Sequence, residues 1–384
     1  MDKVRLGIIG IGNMGTAHAK SVLDGRIPGC ELGAVCDEDP EALKKFPDIK
    51  GYTDSAELIR SGKVDAILVG TPHYSHTTIG VDGLENGLHV LLEKPISVHK
   101  ADCERLIDAH KKNPELVFAA MFNQRTVPCY RKVRELITGG ELGQIRRINW
   151  IITTWFRTEA YYASGGWRAT WSGEGGGVLL NQCPHQLDLF QWIFGMPEKI
   201  TSHCGFGKYH DIEVEDDVTA YMEYADGATA VFITNTGEAP GTNRLEAVGE
   251  RGRLVVENDR LHFLRNEVPM SEFSRTSERA FAKPPLWDVS IPVSQEAGQH
   301  NEIIRNFADA ILTGKDLIAP AEEGIHSVEL ANAMLYSAFQ DKPVSLPLDG
   351  AAYEAALRDR IKNSTFEKKV VKKADEDLAS SFNG

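Results

Sequence analysis

A chain of 384 residues with 42% hydrophobic and 25% charged residues suits a globular protein of two domains rather than one. Its formal net charge of −13 repels phosphate backbones, so nucleic acid is not an expected partner, while a neutral substrate is allowed. The six cysteines, at 30, 36, 103, 129, 183 and 204, form no CxxC, which argues against a zinc site or a redox dithiol and fits a reducing cytoplasm.

The start, Met-Asp-Lys-Val-Arg, runs straight into a strand-like segment with no signal-type apolar region. No apolar stretch approaches the roughly 18 residues of a membrane span, so no membrane association is expected. The first third alternates strands and helices. Apolar runs at 4–9, 32–36, 64–69, 88–92 and 117–120 read as strands, and 16–23, 77–86 and 100–113 as helices. Continuous apolar strands between helices predict a doubly wound parallel sheet covered on both faces.

Beyond about residue 125 the pattern changes. Val218, Ala220, Met222 and Tyr224 alternate with polar or small residues, Asp226-Gly227 signals a hairpin, and Ala228, Ala230 and Phe232 continue the alternation. A second pair at 245–248 and 254–256 turns at Gly249 and Gly252, and 261–264 comes next. This predicts a mostly antiparallel sheet covered on one face by helices at 183–194, 301–312 and 327–340. The boundary is expected near 123–128, giving domains at 1–125 and 126–384, with a charged, helix-compatible tail from Asp349.

Gly10-x-Gly12-x-x-Gly15 follows the first strand and opens a helix, the context a dinucleotide loop requires. Gly10 permits the turn, Gly12 lets backbone approach a pyrophosphate, and Gly15 lets helix and strand pack. The helix N-terminus would face the phosphates. Asp37 ends the second strand, placed to accept both ribose hydroxyls. With Glu38 and Asp39 beside it and no adjacent arginine, NAD is favoured over NADP. Thr71, Pro72 and His73 leave the sheet's carboxyl edge where the nicotinamide half would lie, with His76 a turn later.

Lys94, in Glu93-Lys94-Pro95, comes after the strand at 88–92, and Pro95 stops its regular continuation. A buried lysine there loses proton affinity and serves as proton acceptor or as donor to a substrate oxygen; a surface lysine at a strand end is the alternative. The run 173–188 is rich in glycine and carries Asn181, His185 and Asp188. If it is helical, the three share one face, with His185 on a substrate hydroxyl and Asp188 orienting it. The alternative is a packed helix with a satisfied histidine.

Gly10-Ile-Gly12-Asn13-Met14-Gly15, Glu93-Lys94-Pro95 and the Gly-Gly-Gly-x-Leu-Leu run ending at His185 occur in that order. In this the chain resembles the Gfo/Idh/MocA oxidoreductases over roughly residues 3–345. The resemblance implies a Rossmann domain followed by an α/β domain with a large open, mostly antiparallel sheet. The resemblance further implies catalytic Lys94 and His185, substrates among sugars and cyclitols, and a homo-oligomer, dimer or tetramer, paired through the open sheet. The residues expected around NAD are Gly10, Gly12, Asn13, Met14, Gly15, Asp37, Thr71, Pro72, His73, His76, Glu93 and Lys94, with polar loop histidines the alternative for His73 and His76. Many members carry aspartate where this chain has Asn181. An amide binds a hydroxyl but takes no proton at neutral pH, so proton transfer rests on His185 or Lys94.

Trp155, Phe156, Arg157, Tyr161, Tyr162, Trp167, Arg168 and Trp171 crowd one short stretch interrupted by Gly165 and Gly166. It reads as a loop over the cleft, with aromatic faces for sugar rings and arginines for hydroxyls or a carboxylate; a small core holding the loop is the alternative. Asn123, Gln124 and Arg125, just after the last strand of the first third, can also point into the cleft. The expected substrate set is Asn123, Arg125, Arg157, Tyr162, Trp167, Arg168, Asn181 and Asp188, with no metal. The expected activity is oxidation of a secondary alcohol of a sugar, glycoside or cyclitol, an inositol or the 3-position of a glucose-like ring. A transient-redox lyase, hydrolase or epimerase retaining NAD is the second reading, and a non-catalytic NAD-binding protein the third.

Overall fold

The computed structural model describes residues 2–294 and 296–370; the end of the charged tail, 371–384, lies outside the described residues. The first sheet holds β1 (Val4–Ile9), β2 (Cys30–Cys36), β3 (Gly51–Tyr52), β4 (Ala66–Val69), β5 (His89–Leu92) and β6 (Phe118–Ala120), all parallel, in the order β3-β2-β1-β4-β5-β6. β4 is buried at every residue, as a strand covered on both faces must be. The order reverses between β1 and β4, which opens a crevice at the strands' carboxyl ends. The helices Asn13–Leu23, His73–Glu85 and Lys100–Lys111 alternate with these strands.

The second sheet has nine strands: β7 (Ile145–Ile152), β8 (Lys199–Phe206), β9 (Glu215–Glu223), β10 (Thr229–Asn235), β11 (Asn243–Gly249), β12 (Gly252–Glu257), β13 (Arg260–Asn266), β14 (Leu286–Ile291) and β15 (Val344–Ser345). Their order is β14-β13-β12-β11-β7-β10-β9-β8-β15, antiparallel throughout except for the parallel pair β7 and β10. The Asp226-Gly227 signal sits in the β9–β10 hairpin, with Val231 opposite Tyr221.

One face of this sheet is covered by the helices Pro184–Phe194 and Gly324–Gln340. Trp150 and Phe232 from the sheet meet Phe190 from the first of these, with ring centroids 6.4 and 6.1 Å away. The third helix expected on that face goes elsewhere. Gln299–Thr313 buries Ile303, Ile304, Phe307 and Ala308 in the core of the first sheet, so the chain returns to the nucleotide-binding layer after completing the second. An apolar stripe fixes that a helix packs but not on which sheet.

The two layers are stitched beside Lys94. Lys100 Nζ donates to Glu329 Oε1 at 2.8 Å, its backbone N to Asn332 Oδ1 at 2.9 Å, and Asn332 Nδ2 to Val98 O at 3.2 Å. The segment leaving β5 is thereby tied to the helix that floors the second sheet.

Candidate active site

The loop after β1 forms a dinucleotide cradle. A Cβ on Gly15 would lie 1.8 Å from Gly10 O, so only glycine lets the helix sit this close to the strand; one on Gly12 would meet nothing within 4 Å. The helix from Asn13 has no side-chain cap at Gly12, which leaves its first N–H groups turned outward beside exposed Gly12 and Asn13 and half-buried Met14. Asp37 Oδ2 accepts from Ile11 N at 2.7 Å and Oδ1 from Asp39 N at 3.0 Å, which pins the loop to the end of β2. Open space over Gly12, uncapped helix N–H groups and a carboxylate at the strand end fit a dinucleotide. Lys45, not singled out from sequence, reaches the same loop, with Nζ 3.1 Å from Ile11 O.

Three residues expected at the cofactor, His76, His73 and Glu93, support the cradle from behind. His76 is wholly buried, with Nδ1 2.8 Å from Pro95 O and Nε2 2.8 Å from Thr71 O, so it braces the Lys94 loop rather than touching a ligand. His73 is buried too; its Nδ1 lies 3.3 Å from Glu174 O and its ring 5.5 Å from that of Trp167. Glu93 binds His18 Nε2 at 2.7 Å through Oε1 and accepts from Lys94 N at 3.2 Å through Oε2. Burial opposes its charge, but the hydrogen bond and charge of His18 win and hold the carboxyl well below the usual range. Pro72 is exposed and caps the helix His73–Glu85, while Thr71 Oγ1 is buried with no partner among the described residues.

Across the crevice, Lys94 Nζ donates to Asn181 O at 3.0 Å. Burial lowers its proton affinity, Glu93 and Glu174 oppose that, and Arg168 and Arg157 add to it. His185 Nδ1 is buried with no partner among the described residues. Burial, then the charge of Lys94, then His300, push this imidazole well below its ordinary value, so it is neutral near pH 7 and free to accept a proton. Lys94 and His185, supplied by the two layers, thus lie within electrostatic reach of each other.

The helical reading of 181–188 needs correction. The helix starts at Pro184, and Asn181 lies in the irregular segment before it. Asp188 does not orient His185; both oxygens turn inward to Arg125, at 2.8 Å from Nε and 2.6 Å from Nη2. Arg125 also donates to Glu323 Oε2 and Ile318 O, and neither its side chain nor that of Asp188 is exposed. The pair is a structural strut, not a substrate contact. Tyr162 is likewise buried, donating to Thr236 Oγ1 at 2.8 Å. Trp171 packs between Phe206 and Phe339 as the core alternative for that loop expects.

Asn123 Nδ2 donates to Gln299 Oε1 at 2.6 Å and lies 3.4 Å from His300 Nδ1, while its Oδ1 has no partner among the described residues. Arg168 lies over the Trp167 ring at 4.5 Å and the Tyr161 ring at 4.9 Å, and Arg157 lies 5.1 Å from the Tyr161 ring. Tyr161 Oη takes hydrogen bonds from Arg168 at 3.0 Å and Gln182 at 3.1 Å and donates to Asn181 Oδ1 at 3.3 Å. The sequence reading missed Glu174. Its carboxylate accepts from Ala169 N at 2.6 Å and from Asn181 Nδ2, and it is 2% exposed. Its one sequence signal is a lone acid inside a glycine run.

A dinucleotide cradle facing a lysine and a neutral histidine across one cleft is the arrangement of a nicotinamide-dependent oxidoreductase. The chain belongs to the Gfo/Idh/MocA oxidoreductase family: the family's NAD-binding Rossmann fold matches residues 4–121 and its C-terminal alpha/beta domain residues 134–346. It is an NAD-binding oxidoreductase. Similar proteins include myo-inositol 2-dehydrogenase of Thermotoga maritima, 28% identical over 67% of this chain and 76% of that one. Inositol 2-dehydrogenase of Rhizobium meliloti is 25% identical over 89% of this chain and 99% of the other. Among solved structures, WlbA dehydrogenase of Bordetella pertussis in complex with NADH and UDP-GlcNAcA superposes with a TM-score of 0.75 at 23% identity, covering 90% of this chain and 100% of that one. At that identity the likeness is one of fold. Among the described residues no helix is long and apolar enough to cross a membrane.

Proposed function

We propose that the protein oxidises a secondary alcohol of a sugar, glycoside or cyclitol, reversibly, with NAD as its redox partner. The observation that carries this reading is a neutral His185, its buried Nδ1 unpartnered among the described residues, within electrostatic reach of Lys94, whose Nζ donates to Asn181 O from the other layer. NAD, when bound on Gly10, Gly12, Gly15 and Asp37, supplies the hydride acceptor. His185 takes the hydroxyl proton. Lys94, held as a donor, stabilises the negative charge that grows on the substrate oxygen. Trp167 and Tyr161 offer faces to a ring, and Asn123, Asn181, Arg157 and Arg168 offer polar contacts to its hydroxyls. The inositol dehydrogenases among the relatives favour a cyclitol or pyranose ring.

The reading includes a homo-oligomer paired through the uncovered face of the second sheet, where Tyr221, Val231 and Ile233 stand among charged side chains. A cytoplasmic location fits the free cysteines.

The test is absorbance at 340 nm with purified protein, NAD and a panel of inositols, free sugars and glycosides. Stoichiometric NADH with one class supports the dehydrogenase and names its substrate. Substrate loss without net NADH would replace this reading with a transient-redox lyase, hydrolase or epimerase, and no consumption of any compound would overturn it.

A further inference from the structure

Position 181 is an amide, yet the cleft beside Lys94 contains a carboxylate one hydrogen bond further back. Glu174 enters it because Gly175 has φ +79° and no side chain: a Cβ there would lie 2.1 Å from Val98 Cγ1, on the segment downstream of Lys94. The glycine run therefore presses against the lysine's own loop. Glu174 is fixed by two donors, Ala169 N and Asn181 Nδ2, and the backbone oxygen of the same Asn181 accepts from Lys94 Nζ. Asn181 thus bridges carboxylate and ammonium; Tyr161 Oη donates to its Oδ1 and is itself held by a hydrogen bond from Arg168.

We infer that Glu174 is the positioning residue of the site: it supplies the negative charge that position 181 lacks, and so keeps Lys94 as an ammonium aimed at the substrate oxygen. The inference rests on the dehydrogenase reading for its chemistry, but not for its test. The charged and titratable groups acting most on Lys94 are Glu93 from its own segment, Arg157 and Arg168 from the aromatic loop, and Glu174 from the glycine run; His73, His76, Cys183, His185 and His300 feel its charge in turn. The two carboxylates favour the ammonium and the two guanidiniums disfavour it. Glu93 is the larger of the two carboxylate effects, and Glu174, joined to Lys94 through Asn181, is the one that comes from the opposite layer together with Arg168 and Arg157. Burial pushes the Glu174 carboxyl up, and Arg168, Ala169 N–H, Asn181 and Lys94 pull it back.

Removing the Glu174 charge makes the ammonium less favourable, so Lys94 loses its proton at lower pH. In the full-length, NAD-bound protein, Lys94 is titrated by pulse acetylation with acetic anhydride across a pH series and read by mass spectrometry. Relative to wild type, Glu174→Gln lowers the midpoint by about half a pH unit or more, a roughly threefold loss of proton affinity. Glu174→Asp, with the charge drawn back by one methylene, falls between the two. Glu174→Gln/Asn181→Asp, with the charge moved one hydrogen bond forward, returns the midpoint to wild type or above. With substrate, the alkaline limb of kcat/KM moves in the same order.

A midpoint that Glu174→Gln leaves in place, in protein that still binds NAD, overturns the inference. If Glu174→Gln does not fold, the Glu174→Asp shift decides: a fall supports the inference and an unchanged midpoint overturns it. Wild-type protein inactive on every alcohol overturns the dehydrogenase reading instead, and leaves the Lys94 titration to judge Glu174 alone.

Discussion

Lys94 is useful because its position is enforced from both sides. Asn181 O fixes its Nζ, Glu93 fixes its backbone N, and Lys100, a short way along, is tied to Glu329. Lys94→Ala is expected to lower kcat by about a hundredfold or more, the scale of a lost proton-handling group, while NAD binding measured by fluorescence titration stays within a fewfold of wild type. A variant keeping most of its rate would remove Lys94 from the chemistry. Asp37 acts on the cofactor instead. Asp37→Ala frees Ile11 N and removes a charge-assisted hydrogen bond worth about 1.5–3 kcal/mol, so NAD should bind at least tenfold more weakly and the preference over NADP should shrink. An unchanged NAD-to-NADP ratio would refute the ribose assignment. His185 sets the acid side: with its imidazole held well below the ordinary value, activity should persist below pH 6.5 and fail only as His185 is protonated. A kcat/KM profile already falling at pH 7 on its acid limb would contradict this.

At the scale of the element, the helix Pro184–Phe194 carries His185 at its first turn and is anchored by Asp188 one turn later. Arg125, Asp188 and Glu323 join three segments: the one after β6, this helix, and the one before Gly324–Gln340. Because neither the Arg125 nor the Asp188 side chain is exposed, deleting Asp188 leaves Nε and Nη2 of a buried guanidinium without their acceptors, with only Glu323 and Ile318 O still bound at Nη1. Asp188→Ala should therefore cost about 3–5 kcal/mol in urea unfolding, whereas Arg125→Met/Asp188→Leu should recover most of that loss. Equal stability for Asp188→Ala and wild type would mean the strut carries no load.

For the whole molecule, the proposed oligomer would form through the open face of the second sheet. Helices cover one face, and the other presents alternating apolar and charged side chains, including the ion pairs of Arg147 with Glu246 and Arg244 with Glu257. Tyr221 is 43% exposed and faces across the strand pair to Val231. If this face joins subunits, Tyr221→Glu/Val231→Lys should shift sedimentation from oligomer to monomer without loss of secondary structure. A wild-type protein that sediments as a monomer would dispose of the oligomer. Within the chain, the return of Gln299–Thr313 to the first core means that truncation before residue 299 should strip the nucleotide-binding layer of part of its own cover.

Local rules made much of this protein legible in its sequence. Strand runs such as Val4–Ile9, the Asp226-Gly227 hairpin and the glycine loop could be read there because period, turn chemistry and glycine geometry depend on neighbours a few residues away. The same locality is what singled out Gly10, Gly12, Gly15, Asp37, Lys94 and His185 as candidates, since each sits at a strand end or helix start that the pattern marks. Which charges would meet was settled by tertiary packing alone. Arg125 and Asp188 read as cleft residues until the fold buried them against each other, and Asn181 read as a lost carboxylate until Glu174 arrived beside it. The helix Gln299–Thr313 could not be assigned to a sheet for the same reason. Burial and pairing between distant segments set whether a polar side chain is strut or chemistry, and no local periodicity encodes them.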